Sequence, residues 1–170
     1  SLVRSQLQPS HQATLAPLAP RFSAQVTTKN RSSASASSST QRQRRFVRQI
    51  LVLTNRARQR AGLAPLRRNA ALQRTAQSHS NDMARNGFFS HTGSNGSSFG
   101  DRLRQVRYRY SYAAENIASG RTPRVAMSSW LSSPGHRANI LNPNIRHIGI
   151  GYARRGRSHY WTQVFGQPMR

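Results

Sequence analysis

Apolar periodicity in this chain is confined to residues 46–170, so any folded core must be built there. Residues 1–45 are about half Ser, Thr, Gln and Pro, carry seven positive charges and no negative one, and approach low complexity between Ser32 and Thr40. Such a segment cannot bury enough apolar area to offset its ordering entropy. The reading is therefore a basic arm over 1–45, disordered alone, followed by one domain over 46–170. About 125 residues suffice for a single core. No internal repeat is present.

Within the domain, Phe46, Ile50, Leu53 and Ala57 recur at helical spacing, and Gly62 stops that helix. Asn69 is placed to cap a second helix with Leu72, Ala76, His79 and Met83 on one face; Gly87 ends it. Ser98 to Asp101 fits a capping box. Thr122-Pro123 opens a further helix, and Pro143 closes a short turn after Ile140-Leu141. Strand signals come later. Ala114–Ala118 is one candidate, and alternation at Ile148, Ile150, Tyr152 and at Tyr160, Thr162, Val164 flanks a turn at Arg155-Gly156-Arg157. Tyr108, Tyr110 and Tyr112 are read as a strand with an aromatic inner face; the competing reading is a stacking surface interleaved with Arg107 and Arg109. Helices first and an antiparallel hairpin last give an α+β class.

Charge sets the second constraint. The chain has 27 basic and three acidic residues, a net charge of +24, and Lys29 is its only lysine. Arginine matches phosphate and carboxylate geometry and does not titrate. A field of this size draws anionic partners: an acidic protein surface, a cell-wall polymer, anionic lipid or nucleic acid. In the arm, Arg21, Arg31, Arg42, Arg44 and Arg45 are the residues expected to meet such a partner. The absence of cysteine excludes disulfides, thiolate metal sites and thiol catalysis. No apolar run reaches the ~20 residues of a transmembrane helix. The chain starts at Ser1 rather than Met, so it is read as either processed or excised from a longer sequence; the expected placement is extracytoplasmic, with a signal peptide already removed. The Arg- and Ser-rich, acid-free start also reads as an organelle-targeting remnant.

Against so few acids, the only glutamate, Glu115, stands between two histidines, His91 and His136. Imidazole and carboxylate can ligate Zn²⁺ or another divalent cation, or act as general base and acid. His91 follows a glycine-led turn, Glu115 lies in a candidate strand, and His136 opens a short helix behind Pro134-Gly135, so only a fold can assemble them. His79 is read as a core histidine with one hydrogen-bond partner, and His147 as a surface or packing residue. Gly96-Ser97-Ser98-Phe99-Gly100 matches a nucleophile-elbow pattern, but no strand precedes it, and Ser98 is better explained as a helix cap.

Several segments, in order, carry a resemblance. They are Phe88-Phe89-Ser90-His91-Thr92, Glu115-Asn116-Ile117-Ala118, Trp130 with Ser133-Pro134-Gly135-His136-Arg137-Ala138-Asn139-Ile140-Leu141, Ile148-Gly149-Ile150-Gly151-Tyr152, and Tyr160-Trp161-Thr162-Gln163-Val164-Phe165-Gly166. From about Phe46 to Pro168 the chain resembles the CAP superfamily (cysteine-rich secretory proteins, antigen 5, pathogenesis-related 1) in a cysteine-free bacterial-type form. The resemblance implies an α-β-α sandwich with a small, mainly antiparallel sheet between helices. It also implies a cavity formed by His91, Glu115 and His136. Many eukaryotic relatives carry a second acid where this chain has Ser133, so the resemblance implies at most a weakly bound Zn or other divalent cation, on His91 and His136 with Glu115 as a further ligand.

The resulting functional reading is a non-enzymatic extracytoplasmic binding domain, with a His/Glu cavity and a basic arm for an anionic partner. Two alternatives belong to other classes. One is a structural subunit of a large assembly with the domain as a passive module; the other is a metal-assisted hydrolase using the His/Glu cavity.

Overall fold

The computed structural model describes residues 25–169, with side chains from residue 34 onward. Arg21 lies outside the described residues, and the side chain of Arg31 is not described. Helix α1 (Gln25–Arg60) runs through the arm–domain boundary expected near residue 45. The compact unit that holds the domain begins at Ala36. Between residues 36 and 45 the helix is almost wholly exposed, and Arg42, Arg44 and Arg45 project from it. The buried stripe starts at Val47 and continues through Ile50, Thr54 and Arg58.

The chain then forms β1 (Arg67–Arg68), α2 (Ala70–Asn86), α3 (Phe99–Gln105), β2 (Tyr110–Ser119), α4 (Pro123–Ser132), α5 (Pro134–Ile140), β3 (His147–Arg155) and β4 (Ser158–Pro168). The expected punctuation works as read. Asn69 accepts hydrogen bonds from the Ala71 and Leu72 amides, Gly87 takes a left-handed φ of 67° after α2, and Ser98 and Asp101 form a reciprocal capping box on α3. Thr122 caps α4 ahead of Pro123.

The sheet order is β1-β3-β4-β2, antiparallel except for the two-residue β1–β3 pairing. Helices cover both faces. On one, Val47 and Ile50 of α1, Met127 and Trp130 of α4 and Ile140 of α5 pack against Ile148, Ile150, Tyr152, Trp161 and Phe165. On the other, Leu72 and Ala76 of α2 and Leu103 of α3 pack with Tyr108 and Val164. This is the expected α-β-α layering. Both indoles are fully buried, and each N–H is satisfied: Trp130 donates to the Ile117 carbonyl at 3.0 Å and Trp161 to that of Gly120 at 2.7 Å. An aromatic side chain burying about 200 Å² gains roughly 5 kcal/mol before entropy costs.

The tyrosine strand departs from expectation. A register shift between Tyr110 and Tyr112 breaks the alternation, leaving Tyr112 38% exposed, while Tyr108 lies before the strand and is buried. The predicted common inner face is therefore absent. Tyr108 instead shares a 2.9 Å hydrogen bond with His147 Nδ1.

The closest packing joins α2 to β3. A Cβ at Gly149 would lie 2.1 Å from the Leu72 carbonyl, and one at Gly151 2.1 Å from the Ala76 oxygen, so only glycine fits at either place. Beside them, the amides of Gln73 and Gln77 bond both N–H and C=O of Ile150 and Tyr152 respectively. Those backbone groups lie on the edge of β3 beyond its short pairing with β1, and the helix satisfies them.

Candidate functional site

The site forms where β2 meets α2, α3 and α5. Successive strand residues face opposite sides, so Glu115 turns toward α2 and α3 while Asn116 turns toward α5. The Asn116 amide donates to the His136 carbonyl at 3.1 Å and to Gln163 Oε1 at 3.1 Å, and it accepts from Asn139 Nδ2 at 2.9 Å. Gln163 in turn donates to Thr54 Oγ1 at 2.9 Å. This satisfied polar network ties α5, and with it His136, to the sheet.

Glu115 is the centre. Its side chain is 2% exposed. Arg102 Nη2 donates to both carboxylate oxygens, at 3.0 and 2.8 Å, and His91 Nδ1 donates to Oε1 at 2.8 Å. That bond places the His91 proton on Nδ1 and leaves Nε2 as the ring nitrogen available to a ligand. Arg102 also donates to the His91 carbonyl at 2.9 Å, fixing the loop that carries the histidine. His79 lies beneath, 1% exposed; its Nε2 donates to the Ser90 carbonyl at 2.8 Å and stands 3.9 Å from Glu115 Oε1. Burial lowers the His79 pKa, and the attraction of Glu115 opposes this without reversing it. His79 is thus the core histidine expected, with Nδ1 unpaired. His136 is pulled below its ordinary pKa by burial first and by the nearby His91 second. Ser133 sits at the α4–α5 junction, where its side chain makes no capping bond.

His91 and Glu115 are therefore in direct contact, and His136 lies within electrostatic reach of His91. Arg102 was not anticipated, because nothing in the sequence separates it from the many other arginines. The available signal was its place between the cap residue Asp101 and the buried Leu103 on a seven-residue helix. The other acids are also engaged near the site. Asp82 accepts from the Ser94 amide at 2.9 Å and its hydroxyl at 2.6 Å, and from Asn86 at 2.7 Å. Burial pushes the Asp82 pKa up, but those bonds outweigh it and hold it low. Asp101 serves the capping box and pairs with Arg104. Ser98 is fully explained as that cap, which removes the nucleophile-elbow reading.

A divalent cation finds few ligands here. Both Glu115 oxygens are held by Arg102 and His91, so the carboxylate expected as a third ligand is engaged. Among the described residues, no group of three or more His, Cys, Asp or Glu is arranged to hold a metal ion. The residues do not fit a tightly held ion.

Similarity to known proteins agrees with this architecture. YkwD of Bacillus subtilis is 40% identical over 121 residues, covering 71% of this chain and 46% of YkwD. The membrane protein YlbC of the same organism is 39% identical over 119 residues, covering 69% of this chain and 33% of YlbC. The chain thus spans less than half the length of these curated relatives. An extracellular protein containing an SCP domain from Bacillus anthracis superposes with a TM-score of 0.68 at 33% identity, over 74% of this chain and 41% of that one. An outer surface protein of Borrelia burgdorferi shares the fold, with a TM-score of 0.65 at 20% identity over 70% of this chain and 90% of its own. Residues 51–165 match the cysteine-rich secretory protein (CAP) family, and the chain belongs to that family although it contains no cysteine.

Proposed function

We propose that this CAP domain is a non-enzymatic binding module that works outside the cytoplasm and engages an anionic partner through its arginine surface. One observation carries the reading: every acidic side chain in the chain is committed to a local structural role. Among the described residues, only Arg102 and Arg104 have carboxylate partners. The remaining surface arginines are uncompensated, so their field acts outward. The exposed stretch of α1 with Arg42, Arg44 and Arg45 has no apolar face of its own and suits a surface meant for a partner. Arg21 and Arg31 extend the same reading along the sequence.

The His91–His136 cavity is the second element, a small-ligand site in which His91 Nε2 and His136 supply the polar contacts. With Glu115 doubly engaged, it has no free oxygen to take a proton from a substrate, which weighs against the hydrolase alternative. A divalent cation enters only as a weak ligand of two imidazoles and requires both to be neutral. Extracytoplasmic placement is supported by the Bacillus anthracis relative, described as extracellular.

Binding of labelled polyglutamate to the full chain tests the reading. Affinity should fall steeply with added salt, as ionic contacts are screened. Affinity unchanged between low and high salt would show that the positive charge is incidental.

A further inference from the structure

The structure assigns the groove between α1 and the start of α4 as a docking site for an acidic amphipathic helix of a protein partner. This inference rests on the proposed anionic-partner reading and specifies that partner's chemistry. The groove encloses about 470 Å³. Phe46, Val52, Leu53 and Pro123 line it. Val52 is 43% exposed, and Val125, one turn into α4, is 51% exposed. The floor is firm. Phe46 stacks on Trp161 at 5.6 Å and meets Tyr152 edge-on at 5.1 Å, while Thr122 caps the helix that presents Pro123.

Arginines stand on both banks, Arg48 and Arg56 from α1 and Arg124 from α4. All three are exposed, and none has a carboxylate partner among the described residues. Apolar floor and cationic rim together select the occupant. Nucleic acid offers phosphates but no aliphatic ridge to fill the floor. A bilayer surface offers both chemistries but is too flat to enter a concave groove. A second copy of this chain has its three acids engaged already and would bring more arginine to the rim.

A helix lying along α1 also has the right pitch. Arg48, Val52 and Arg56 are spaced i, i+4, i+8, so the two arginines leave the helix backbone about 12 Å apart along the axis. A partner helix repeats that spacing, so acids at i and i+8 meet both arginines while an apolar side chain at i+4 meets Val52.

The test is fluorescence anisotropy on the full chain. The probe is a labelled peptide of about 18 residues, roughly five turns, with leucines at i+4, i+7 and i+11 on one face and glutamates elsewhere, i and i+8 included. A shuffled peptide of the same composition and polyglutamate are the comparators. The patterned peptide should bind about tenfold more tightly than the shuffled one. Val52→Gln should weaken it about fivefold while leaving polyglutamate binding unchanged, because the substitution removes an apolar contact and no charge. Arg56→Gln should weaken it further. Circular dichroism should show both variants folded, since both positions are exposed. Equal binding of patterned and shuffled peptides, or no effect of Val52→Gln, would overturn the inference. So would displacement of the peptide by phosphatidylglycerol vesicles, laurate or a single-stranded oligonucleotide in a Val52-dependent manner. If polyglutamate still binds with strong salt dependence in those cases, the broader reading survives; if it does not bind at all, that reading falls as well.

Discussion

Arginine serves opposite purposes in two regions of this molecule. Inside, Arg102 and Arg58 are buried. Arg102 neutralises Glu115, and Arg58 donates to the carbonyls of Ala64, Ile140 and Asn142 at 2.8 to 2.9 Å, clasping α1 to the end of α5. Outside, Arg42, Arg44, Arg48 and Arg56 of α1 and Arg124 of α4 are exposed and have no carboxylate partner among the described residues. Charge stabilises this fold where it is buried and remains available for binding where it is exposed. An enclosed cation holds structure only while its acceptors are present, whereas an exposed one contributes little to stability and projects its field outward.

Four measurements test that contrast. Glu115→Gln leaves Arg102 buried against a neutral amide and should cost about 3–5 kcal/mol in urea unfolding. Replacing both partners, Glu115→Leu with Arg102→Met, should recover much of that loss. A single variant as stable as the parent would mean that the pair is not a structural element. Next, Arg58→Leu strands three carbonyls and should lose roughly 2–3 kcal/mol by the same assay; a smaller change would show that water replaces the guanidinium without penalty.

The third concerns pH. His79 and His136 have folded-state pKa values lowered chiefly by burial, so the unfolded chain binds their protons more readily. Their contribution to stability is present above the unfolded value of about 6.5 and is lost as pH falls through the lowered folded values. Melting temperature should decline from pH 7 toward pH 5, and His79→Gln should flatten the decline. An unchanged slope in that variant would assign the effect to other groups. The smallest effect on stability belongs to Arg44→Gln and Arg45→Gln, expected within about 0.5 kcal/mol of the parent. Each should nevertheless reduce the salt dependence of polyglutamate binding. A stability loss above that range would place these arginines with the enclosed ones.

Much of the fold was legible because its boundaries are written in local chemistry. Asn69, Gly87, Ser98 and Thr122 act over a few residues, so their effects can be read without knowing the tertiary structure. The β3–β4 hairpin was legible for the same reason. Strand β1 was not, because Arg67 and Arg68 have no strand character of their own. Their path is set by Asn55, whose amide brackets the Leu66 backbone with bonds of 2.8 and 3.1 Å. The tyrosine alternation misled because a bulge resets the register there, and its only sign is on the opposite strand, where Pro168 pairs with Tyr110. At the site, His91, Glu115 and His136 stood out as scarce residue types in ordered segments. Arg102 was invisible for the opposite reason: in an arginine-rich chain, identity carries almost no information, and only burial distinguishes one arginine from another.

The α2–β3 junction has a consequence for how this sequence can change. Four helical residues advance about 6 Å and two strand residues about 6.7 Å, so helix and strand run nearly in step. Leu72 and Ala76 meet Gly149 and Gly151 on that shared beat, and Gln73 and Gln77 meet Ile150 and Tyr152. The two segments act as a vernier, with two scales of different spacing read against each other at matched marks. Deleting one residue between Gln73 and Gln77 would rotate one amide off its mark by about 100° while the other remained. Diversification at this junction is therefore open to substitution at the outward-facing positions of α2 and closed to insertion or deletion, even though the same change in the loop at Gly62 would leave every matched contact in place.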